Sequence, residues 1–326
     1  MRLVKWLGIA GMALALFANE GAQAQGYPTK PVYLYIPFAA GGPTDTLGRN
    51  LAQVMGKSLK QQVVVENVVG AGGTIAVARA AKAAPDGYTV LLHHIGMSTA
   101  PSLYRTLPYD PLKDFEYIGE VADVPMTLIA RGNFPAANFK EFLSYVKANK
   151  EKLSYANAGL GAASHLCGLL FMTAIQTDLV TVPYKGTGPA MNDLLGGQVD
   201  LMCDQTTNTT AQIGAGKVKV YGVTSRKRVP SLPDIPTLAE QGLTNFEVVV
   251  WHGLYVPKGT PKPAIDKLVA ALQDSIKDAD FKANLAKLGA EPVSADRAKP
   301  EALQKLLAAE IAKWGPIIKK AGQYAD

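Results

Sequence analysis

The sequence predicts an α/β fold of two lobes joined by a hinge. A length of 326 residues suggests two domains at roughly 150 residues each. Short apolar runs alternate along the chain with segments of helical period, which is typical of mostly parallel sheets flanked by helices. Two Pro-rich stretches beside predicted strands mark crossings between the lobes. In such folds a ligand binds beyond the carboxyl ends of the strands.

The first lobe begins with a βαβαβ pattern. Its predicted strands and helices are strand 32–37, helix 44–59, strand 63–67, helix 74–84 and strand 88–93. Residues 104–131 are then predicted to form a Pro-rich connector and two strands, which are interrupted around 123–125. We place the first crossing at this interruption.

The second lobe repeats the alternation before the chain returns. Its predicted segments are helix 138–149, strand 153–157, helix 163–177, strand 180–183, and then 189–195, 199–203, 207–215 and 218–224. A Pro-rich stretch, 228–242, precedes a strand at 247–255, where we place the second crossing. Three amphipathic helices follow and are expected to pack on the first lobe. They span 262–277, 280–288 and 300–320. The predicted lobes are 25–124 with 246–326, and 125–245.

The first 24 residues are predicted to be a signal peptide. They open with Arg2 and Lys5, continue through an apolar run at 6–18, and end in the small-x-small pattern Ala22-Gln23-Ala24. The apolar run is shorter than the roughly 20 residues that a membrane span needs. We therefore expect an exported, soluble protein whose mature chain begins near residue 25.

Composition excludes several classes of protein. With 48% hydrophobic and 18% charged residues and a mean hydropathy of +0.06, the chain is not a disordered polymer. The formal net charge of +6 is mild, and the Lys and Arg residues are scattered. Their densest cluster, at 226–228, favours a solvated loop over a nucleic-acid-binding surface.

Two Gly-rich loops, one in each predicted lobe, are candidates for anion binding. The first follows the opening strand and passes through Gly41 and Gly42 into a helix, and the second passes through Gly159 and Gly161 into another. Unpaired N–H groups at a helix start favour a carboxylate or phosphate. Two such loops facing each other across a cleft favour a small carboxylate as the ligand. The alternative is that these are capped turns whose glycines serve only backbone geometry.

A third loop, at 184–188, and the pair Asp204-Gln205 follow strands of the second lobe. Asp204 could accept a hydrogen bond from an ammonium group of the ligand, or it could cap the helix that follows. Cys167 and Cys203 are the only cysteines. In an exported chain they favour a disulfide, the alternative being two buried thiols.

Metal binding and catalysis are the competing interpretations. His93 and His94 are adjacent on a strand and should point to opposite faces, so no metal site is expected. Gly96-x-Ser98-x-Ala100 approximates the nucleophile elbow of a secreted serine hydrolase, but no oxyanion segment accompanies it. Gly159-Leu160-Gly161 could begin a dinucleotide loop, but Ser164 replaces its third glycine. We therefore predict neither an enzyme nor a bound cofactor.

The sequence resembles a known family over essentially its whole mature length. In order, it carries IPFAAGGPTD, VENVVGAGGTIA, APDGYT, TVPYKGTGPA, LLGGQVDLM, RVPSLPDIPTLAEQG and WHGLYVPKGTP. These motifs are similar to those of the Bug or TctC-type solute receptors of tripartite tricarboxylate transporters. The resemblance implies a two-lobed periplasmic binding protein, a type II-like clamshell, that delivers a carboxylate to a membrane transporter. HHIGMST, ASHLCGLLF and DLMCDQTTNTT look most like the amino-acid branch, notably the aspartate receptors.

The resemblance also implies a set of ligand-binding residues. Carried over to this sequence, they are Phe38, Ala39, Ala40, Gly41, Gly42, Pro43, Thr44, Asp45, His94, Gly96, Ser98, Asn157, Gly159, Gly161, Ala162, Ser164, His165, Tyr184, Lys185, Gly186, Asp204 and Gln205. The ligand stays open among an amino acid such as aspartate, a C4 to C6 dicarboxylate, a tricarboxylate and an aromatic acid. We expect a monomer that works with the membrane subunits of the transporter and binds no nucleic acid.

Overall fold

A computed structural model describes residues 26–322 of the chain. The predicted signal peptide lies outside the described residues. Ten strands form one mixed sheet in this part of the chain. They are β1 Val32–Ile36, β2 Val63–Asn67, β3 Thr89–His94, β4 Phe115–Arg131, β5 Ser154–Asn157, β6 Val180–Pro183, β7 Leu201–Gln205, β8 Val218–Val223, β9 Val249–Pro257 and β10 Glu291–Pro292.

Ten α-helices flank the sheet within residues 26–322. They are α1 Pro43–Leu59, α2 Thr74–Ala81, α3 Gly96–Leu103, α4 Phe139–Ala148, α5 Ala163–Ile175, α6 Thr187–Leu195, α7 Thr206–Gly214, α8 Lys262–Ser275, α9 Ala279–Lys287 and α10 Pro300–Ala321. Most bounds lie within three residues of those predicted. Helix α3 was not predicted, because it is short and contains Pro101, which normally argues against a helix interior.

Apolar periodicity explains how the helices pack. Helix α1 begins with Pro43, where a missing N–H costs nothing, and buries Leu47, Leu51 and Met55 at four-residue spacing. Helices α8 and α9 pack against α1, and α10 packs against α3 and β4. The three C-terminal helices therefore cover the sheet that contains β1, β3 and β9.

Strand β4 belongs to both halves of the sheet. Its residues 115–125 pair with β9, and its residues 126–131 pair with β7 and β8. We call the part with β1, β2, β3, β9 and β10 the first lobe, and the part with β5, β6, β7 and β8 the second lobe. The predicted interruption at 123–125 is wrong, because the chain passes between the lobes without leaving the extended conformation. The exact lobe boundaries, at 124/125 and 245/246, stay a prediction.

The pairing directions depart from a simple parallel sheet. The outer strands pair in parallel, as β2-β1-β3 in the first lobe and β7-β5-β6 in the second. The central strands β4 and β9 are antiparallel to each other, and each is antiparallel to its other neighbours. The central pairs are antiparallel because β4 carries the chain from the first lobe to the second, and β9 carries it back.

A disulfide joins Cys167 of α5 to Cys203 of β7, which confirms the predicted pairing. The Cα atoms are 6.1 Å apart, and both residues are fully buried. Closing a loop across 36 residues stabilises the fold by about 3–4 kcal/mol in the chain-entropy description.

Within residues 26–322, no helix is both long enough and apolar enough to span a bilayer.

Candidate functional site

A narrow cavity lies between the lobes at the carboxyl ends of the strands. Its accessible volume of about 10 Å³ holds about one water molecule, because the lobes are closed on each other. Phe38 of the first lobe packs against Ala158 and Ala162 of the second. The lining residues are Phe38, Pro43, Thr44, His94, Ala158, Ala162, Ala163, Ser164, Thr187, Asp204 and Gln205.

Four helix starts converge on this cavity. Helix α1 comes from the first lobe, and α5, α6 and α7 come from the second. Each contributes a residue of its first turn or its N-cap to the lining. No side chain caps any of these four helices. Their first N–H groups and the positive ends of their dipoles therefore favour carboxylate oxygens.

Asp45 holds the first loop rather than lining the cavity. Its carboxylate accepts hydrogen bonds from Gly41 N at 3.0 Å, Arg49 Nε at 2.9 Å and Asn67 Nδ2 at 2.9 Å. Burial raises the pKa of Asp45, but these hydrogen bonds and the Arg49 charge outweigh it and lower the pKa overall. Asn67 also donates to the carbonyl of Phe38 at 2.9 Å. These bonds keep the loop in the shape that presents Pro43 and Thr44.

The second loop is held in a similar way. Asn157 Oδ1 accepts from Gly159 N at 2.8 Å, and Ser164 Oγ accepts from Ala158 N at 2.8 Å. His165 Nδ1 lies 3.5 Å from Gly161 N. Of these residues only Ala158 and Ser164 line the cavity. Asn157, Gly159, Gly161 and His165 therefore shape the loop behind the lining.

The third loop contacts the other lobe. Ala39 N donates to the carbonyl of Lys185 at 2.9 Å, and Gly186 lies directly against Ala39. The Lys185 side chain is exposed, and the Tyr184 hydroxyl donates to Asp193 at 2.6 Å. Ala40 and Gly41 are also exposed. Thus 184–186 closes the edge of the cleft.

Asp204 and Gln205 line the cavity from the end of β7. Asp204 accepts from Thr187 Oγ1 at 2.8 Å, from Gln205 N at 2.9 Å and from Asn208 Nδ2 at 2.6 Å. Burial raises the pKa of Asp204 to about 6, although these donors lower it. Gln205 is almost fully buried, and its Oε1 has no hydrogen-bond partner among the described residues. Thr187 lies in the predicted third loop, at 184–188, but was not among the predicted ligand-binding residues, although it follows a glycine at a helix start.

Three buried histidines form the floor behind Phe38. His94 stacks on Phe38 with ring centroids 4.8 Å apart. The rings of His93 and His94 are also 4.8 Å apart, so the expectation that they point to opposite faces is wrong. The reason is that β3 ends at His94 and the backbone turns into helical conformation at Ile95. Burial lowers the pKa of His93 and of His252 to about 3, which keeps both neutral.

His252 positions a hydroxyl of the lining. Its Nδ1 lies 3.2 Å from the Val250 carbonyl, so this nitrogen carries the hydrogen and donates it. The other ring nitrogen, Nε2, is then an acceptor and lies 3.5 Å from Thr44 Oγ1.

Across residues 26–322, no group of three or more His, Cys, Asp or Glu side chains is arranged to hold a metal ion.

The nucleophile-elbow hypothesis for Ser98 is wrong. Ser98 is fully buried, and its Oγ donates to the carbonyl of Ile95 at 2.7 Å. Gly96 N donates to His94 Nδ1 at 3.0 Å. Neither Gly96 nor Ser98 lines the cavity, because the start of α3 lies behind the ring of His94, which does. Ser98 therefore holds a helix start together and is not an exposed nucleophile.

Comparison with known proteins identifies the family. The family model of the tripartite tricarboxylate transporter family receptor, TctC, matches residues 47–323. The chain belongs to the TctC family. As a member, it is a periplasmic solute-binding receptor and not an enzyme, and its fold matches the two-lobed α/β receptors of this family.

Three solved structures are similar to this TctC-family receptor over at least 90% of its chain. The periplasmic binding protein BugD is 57% identical with a TM-score of 0.90, and the match covers 92% of this chain and 100% of BugD. MatC from Rhodopseudomonas palustris, with bound malate, is 40% identical with a TM-score of 0.87, covering 90% and 100%. A second R. palustris protein, with adipate, is 33% identical with a TM-score of 0.86, covering 91% and 98%.

Proposed function

We propose that this receptor binds a four-carbon dicarboxylate that carries a hydrogen-bond donor beside one carboxylate, with aspartate as the leading ligand. The observation that carries the proposal is the convergence of four uncapped helix starts on one cavity that also contains Asp204. Helix α1 lies across the cavity from α5, α6 and α7. A ligand with two carboxylates can therefore contact both lobes at once.

The similar structures support the dicarboxylate part of the proposal. One was solved with malate and the other with adipate, and both are aliphatic dicarboxylates. The narrow cavity of this receptor favours the shorter of the two. Malate is the second candidate, because its hydroxyl also places a donor beside a carboxylate.

Asp204 and Gln205 support the donor part of the proposal. An ionised carboxylate can accept about four hydrogen bonds, and Asp204 receives three from its own lobe. The side-chain carbonyl of Gln205 receives none among the described residues. Because Asp204 is ionised above about pH 6, an ammonium group complements its charge as well as its free lone pair. These features favour aspartate over malate.

Calorimetric titration of the mature chain tests this proposal. We expect affinity to fall in the order aspartate, malate, succinate, because succinate leaves the acceptors of Asp204 and Gln205 without a ligand donor. An unsatisfied buried acceptor costs about 1–3 kcal/mol, so succinate should bind roughly 5- to 150-fold more weakly than aspartate. Equal affinity for succinate and aspartate would refute the proposal that the ligand carries a hydrogen-bond donor beside one carboxylate. Absence of binding to every dicarboxylate would refute the ligand class.

We further propose that the signal peptide directs the chain to the periplasm, where it acts as a monomer and passes its ligand to membrane subunits of the tripartite tricarboxylate type. The family description supports a transporter as the partner. The molar mass of the purified mature protein, measured by light scattering, tests whether it is a monomer. Loss of dicarboxylate uptake on deletion of the genes for membrane subunits of this type, with receptor levels unchanged, tests the partner.

A further inference from the structure

Strand β2 leaves one edge of the sheet open. It is the last strand on the first-lobe side, and it pairs with β1 alone. Its even-numbered residues bond β1, as Val68 N does when it donates to the Ile36 carbonyl at 2.8 Å. In a parallel pair every second residue of a strand bonds the neighbour, so the backbone groups of Val63 and Val65 point away from β1. They are available to a further strand.

This edge lacks most of the features that prevent a sheet from pairing with another chain. Edge strands are normally protected by proline, charged side chains or a bulge. β2 instead has three successive valines at 63–65, all partly or largely exposed, and its charged residue, Glu66, is paired with Arg79 at 2.6 Å. At the opposite edge of the sheet, β6 has Pro183 at an outward-facing position.

A groove of about 770 Å³ lies between this edge and helix α1. The three valines line its strand side. Long polar side chains line its helix side at about one-turn spacing, namely Arg49, Gln53, Lys57 and Lys60. An extended chain that added to β2 would therefore turn the side chains of one face toward this row.

The groove is positively charged. Its lining contains one Arg, two Lys and no Asp or Glu. Arg49 is bonded to Asp45, but Lys57 and Lys60 are exposed, and no salt bridge within residues 26–322 includes either lysine. A second copy of β2 would bring its own lysines against these two. Charge therefore favours an acidic partner over a dimer formed through this edge.

The open edge lies next to the first Gly-rich loop. Asn67 ends β2, and its side chain donates to the Phe38 carbonyl and to the Asp45 carboxylate, both at 2.9 Å. Arg49 lines the groove and donates to the same carboxylate. A segment bound along β2 would thus lie beside the loop that forms the first-lobe side of the cavity.

We propose that the open edge of β2 is a docking site for an extended acidic segment of the membrane subunits, which adds to the sheet as a further strand. This inference rests on the proposed function, which makes those subunits the partner. Backbone hydrogen bonds to Val63 and Val65 supply affinity, as in other cases of strand addition. Lys57 and Lys60 select acidic side chains.

Hydrogen exchange of the mature protein with a synthetic peptide tests the edge itself. The probe is acetyl-(Val-Glu)₄-amide, which alternates apolar and acidic side chains, and the control is acetyl-(Val-Lys)₄-amide. We expect an excess of the acidic peptide to slow exchange of the Val63 and Val65 amides by at least about tenfold, because hydrogen-bonded strand amides are protected. The basic peptide should leave their exchange unchanged. No protection by the acidic peptide, or equal protection by both, would overturn the proposal.

Charge reversal on α1 tests the selection of acidic side chains. Lys57→Glu combined with Lys60→Glu should invert the preference, so that the basic peptide protects β2. The matched control is Lys140→Glu combined with Lys147→Glu, since these exposed lysines line another groove, beside α4, that has no strand edge. The control variant should keep the preference for the acidic peptide. An unchanged preference in the α1 variant would contradict the proposal.

Proline substitutions test the backbone contact. Val65→Pro removes an outward N–H, which an edge strand tolerates, and should abolish protection of Val63 while leaving ligand affinity unchanged. Thr181→Pro removes an outward N–H of β6 and should keep that protection. Wild-type protection in Val65→Pro would overturn the proposal. If Val65→Pro does not fold, the α1 charge reversal decides, because it leaves the β2 backbone intact.

Uptake by the membrane subunits tests the partner. The α1 charge reversal should lower dicarboxylate uptake roughly 5- to 30-fold with an unchanged Kd for the ligand, because two attractive contacts become repulsive. The α4 control variant should keep wild-type uptake. Unchanged uptake in the α1 variant, or a wild-type dimer that Val65→Pro dissociates, would overturn the assignment of the edge to these subunits. A receptor that binds no dicarboxylate would refute the proposed function, and peptide protection would still decide whether β2 is a docking edge.

Discussion

Asp204 combines nearly complete burial with donors on both of its oxygens. Thr187 and Gln205 N reach Oδ1, and Asn208 reaches Oδ2. Burial disfavours the charged form and raises the pKa of Asp204 to about 6, above the ordinary value of 3.8. The carboxyl group therefore changes charge in a range where the ligand carboxylates stay ionised. Its titration can be followed through ligand binding.

We predict that aspartate binding weakens on acidification and that Asp204→Asn removes this pH dependence. The ammonium group of aspartate interacts with the ionised form of Asp204, which is depleted below about pH 6. Affinity should fall by about tenfold between pH 7 and pH 5, one pH unit below the pKa. Calorimetry at both pH values, with the variant as control, measures the effect. A flat wild-type profile, or tighter binding at pH 5, would contradict an ammonium ligand.

The same titration has a defined effect on unliganded stability. The folded-state pKa of Asp204 lies above the unfolded value, so the folded protein holds this proton more tightly. The contribution of Asp204 to the free energy of unfolding therefore falls as pH rises from about 4 to about 6 and is constant above that range. Above about pH 6 the buried, charged Asp204 therefore lowers the stability of the fold. That is consistent with a role of the charged form in binding.

At the scale of elements, the site is an arrangement of helix starts. The loop before α1 meets the start of α6 so closely that Gly188 lies against backbone atoms of the other lobe. A Cβ atom at Gly188 would lie 2.9 Å from both Ala40 O and Gly42 N. Gly188 does not have a positive φ, so its absent side chain serves the approach of the lobes and not a turn.

We predict that Gly188→Ala weakens ligand binding without destabilising the unliganded fold. Alanine favours helix over glycine by up to about 1 kcal/mol, so the melting temperature of the unliganded protein should stay equal or rise. Crowding of the closed form costs about 1–3 kcal/mol, which raises the Kd roughly 5- to 150-fold. Paired thermal-shift and calorimetric measurements separate the two effects.

Gly214→Ala is the matched control, because a Cβ atom there meets nothing within 4 Å. This residue ends α7, another helix of the same lobe whose start lines the cavity. It should gain helix stability and keep wild-type affinity. Equal affinities of Gly188→Ala and the wild type would show that the lobes do not need this close approach.

At the scale of the whole molecule, β4 makes the two lobes interdependent. Its 17 residues run through both halves of the sheet, pairing first with β9 and then with β7 and β8. Arg297 bonds Glu120 and Asp123 next to the point where β4 changes partners. Unfolding of either lobe would leave that lobe's half of β4 without its hydrogen-bonded neighbours, although the strand is continuous with the other lobe.

We predict that the lobes unfold in one cooperative transition despite their separate cores. Two-domain proteins often unfold in steps, but a shared central strand removes the independent boundary that such steps require. Scanning calorimetry of the mature protein should give one peak with equal calorimetric and van't Hoff enthalpies. Ligand at 100 times its Kd should move the whole peak, adding about 2.7 kcal/mol of stability. Two resolved peaks would show that the lobes unfold separately.

Much of this protein could be derived from its sequence, because the relevant signals are local. Strand and helix periods, the Gly-rich loops before α1 and α5, and the Cys167–Cys203 pair are features of short segments or of composition. The family motifs add to this, and they are also short segments. The positions of Phe38, Ser164 and Asp204 at the cavity follow from the rule that loops after strands face the cleft.

Only the tertiary structure decided which residues meet across the lobes. Thr99 of α3 and Tyr104 just after that helix are ordinary residues until α3 is placed against the loop at 160–161, where their side chains bond the Gly161 and Leu160 carbonyls. Asp45, Gly161 and His165 follow strands as predicted, yet they lie behind the lining because neighbouring side chains and backbone groups take their hydrogen bonds. Such contacts depend on the relative placement of distant segments, which no local pattern encodes.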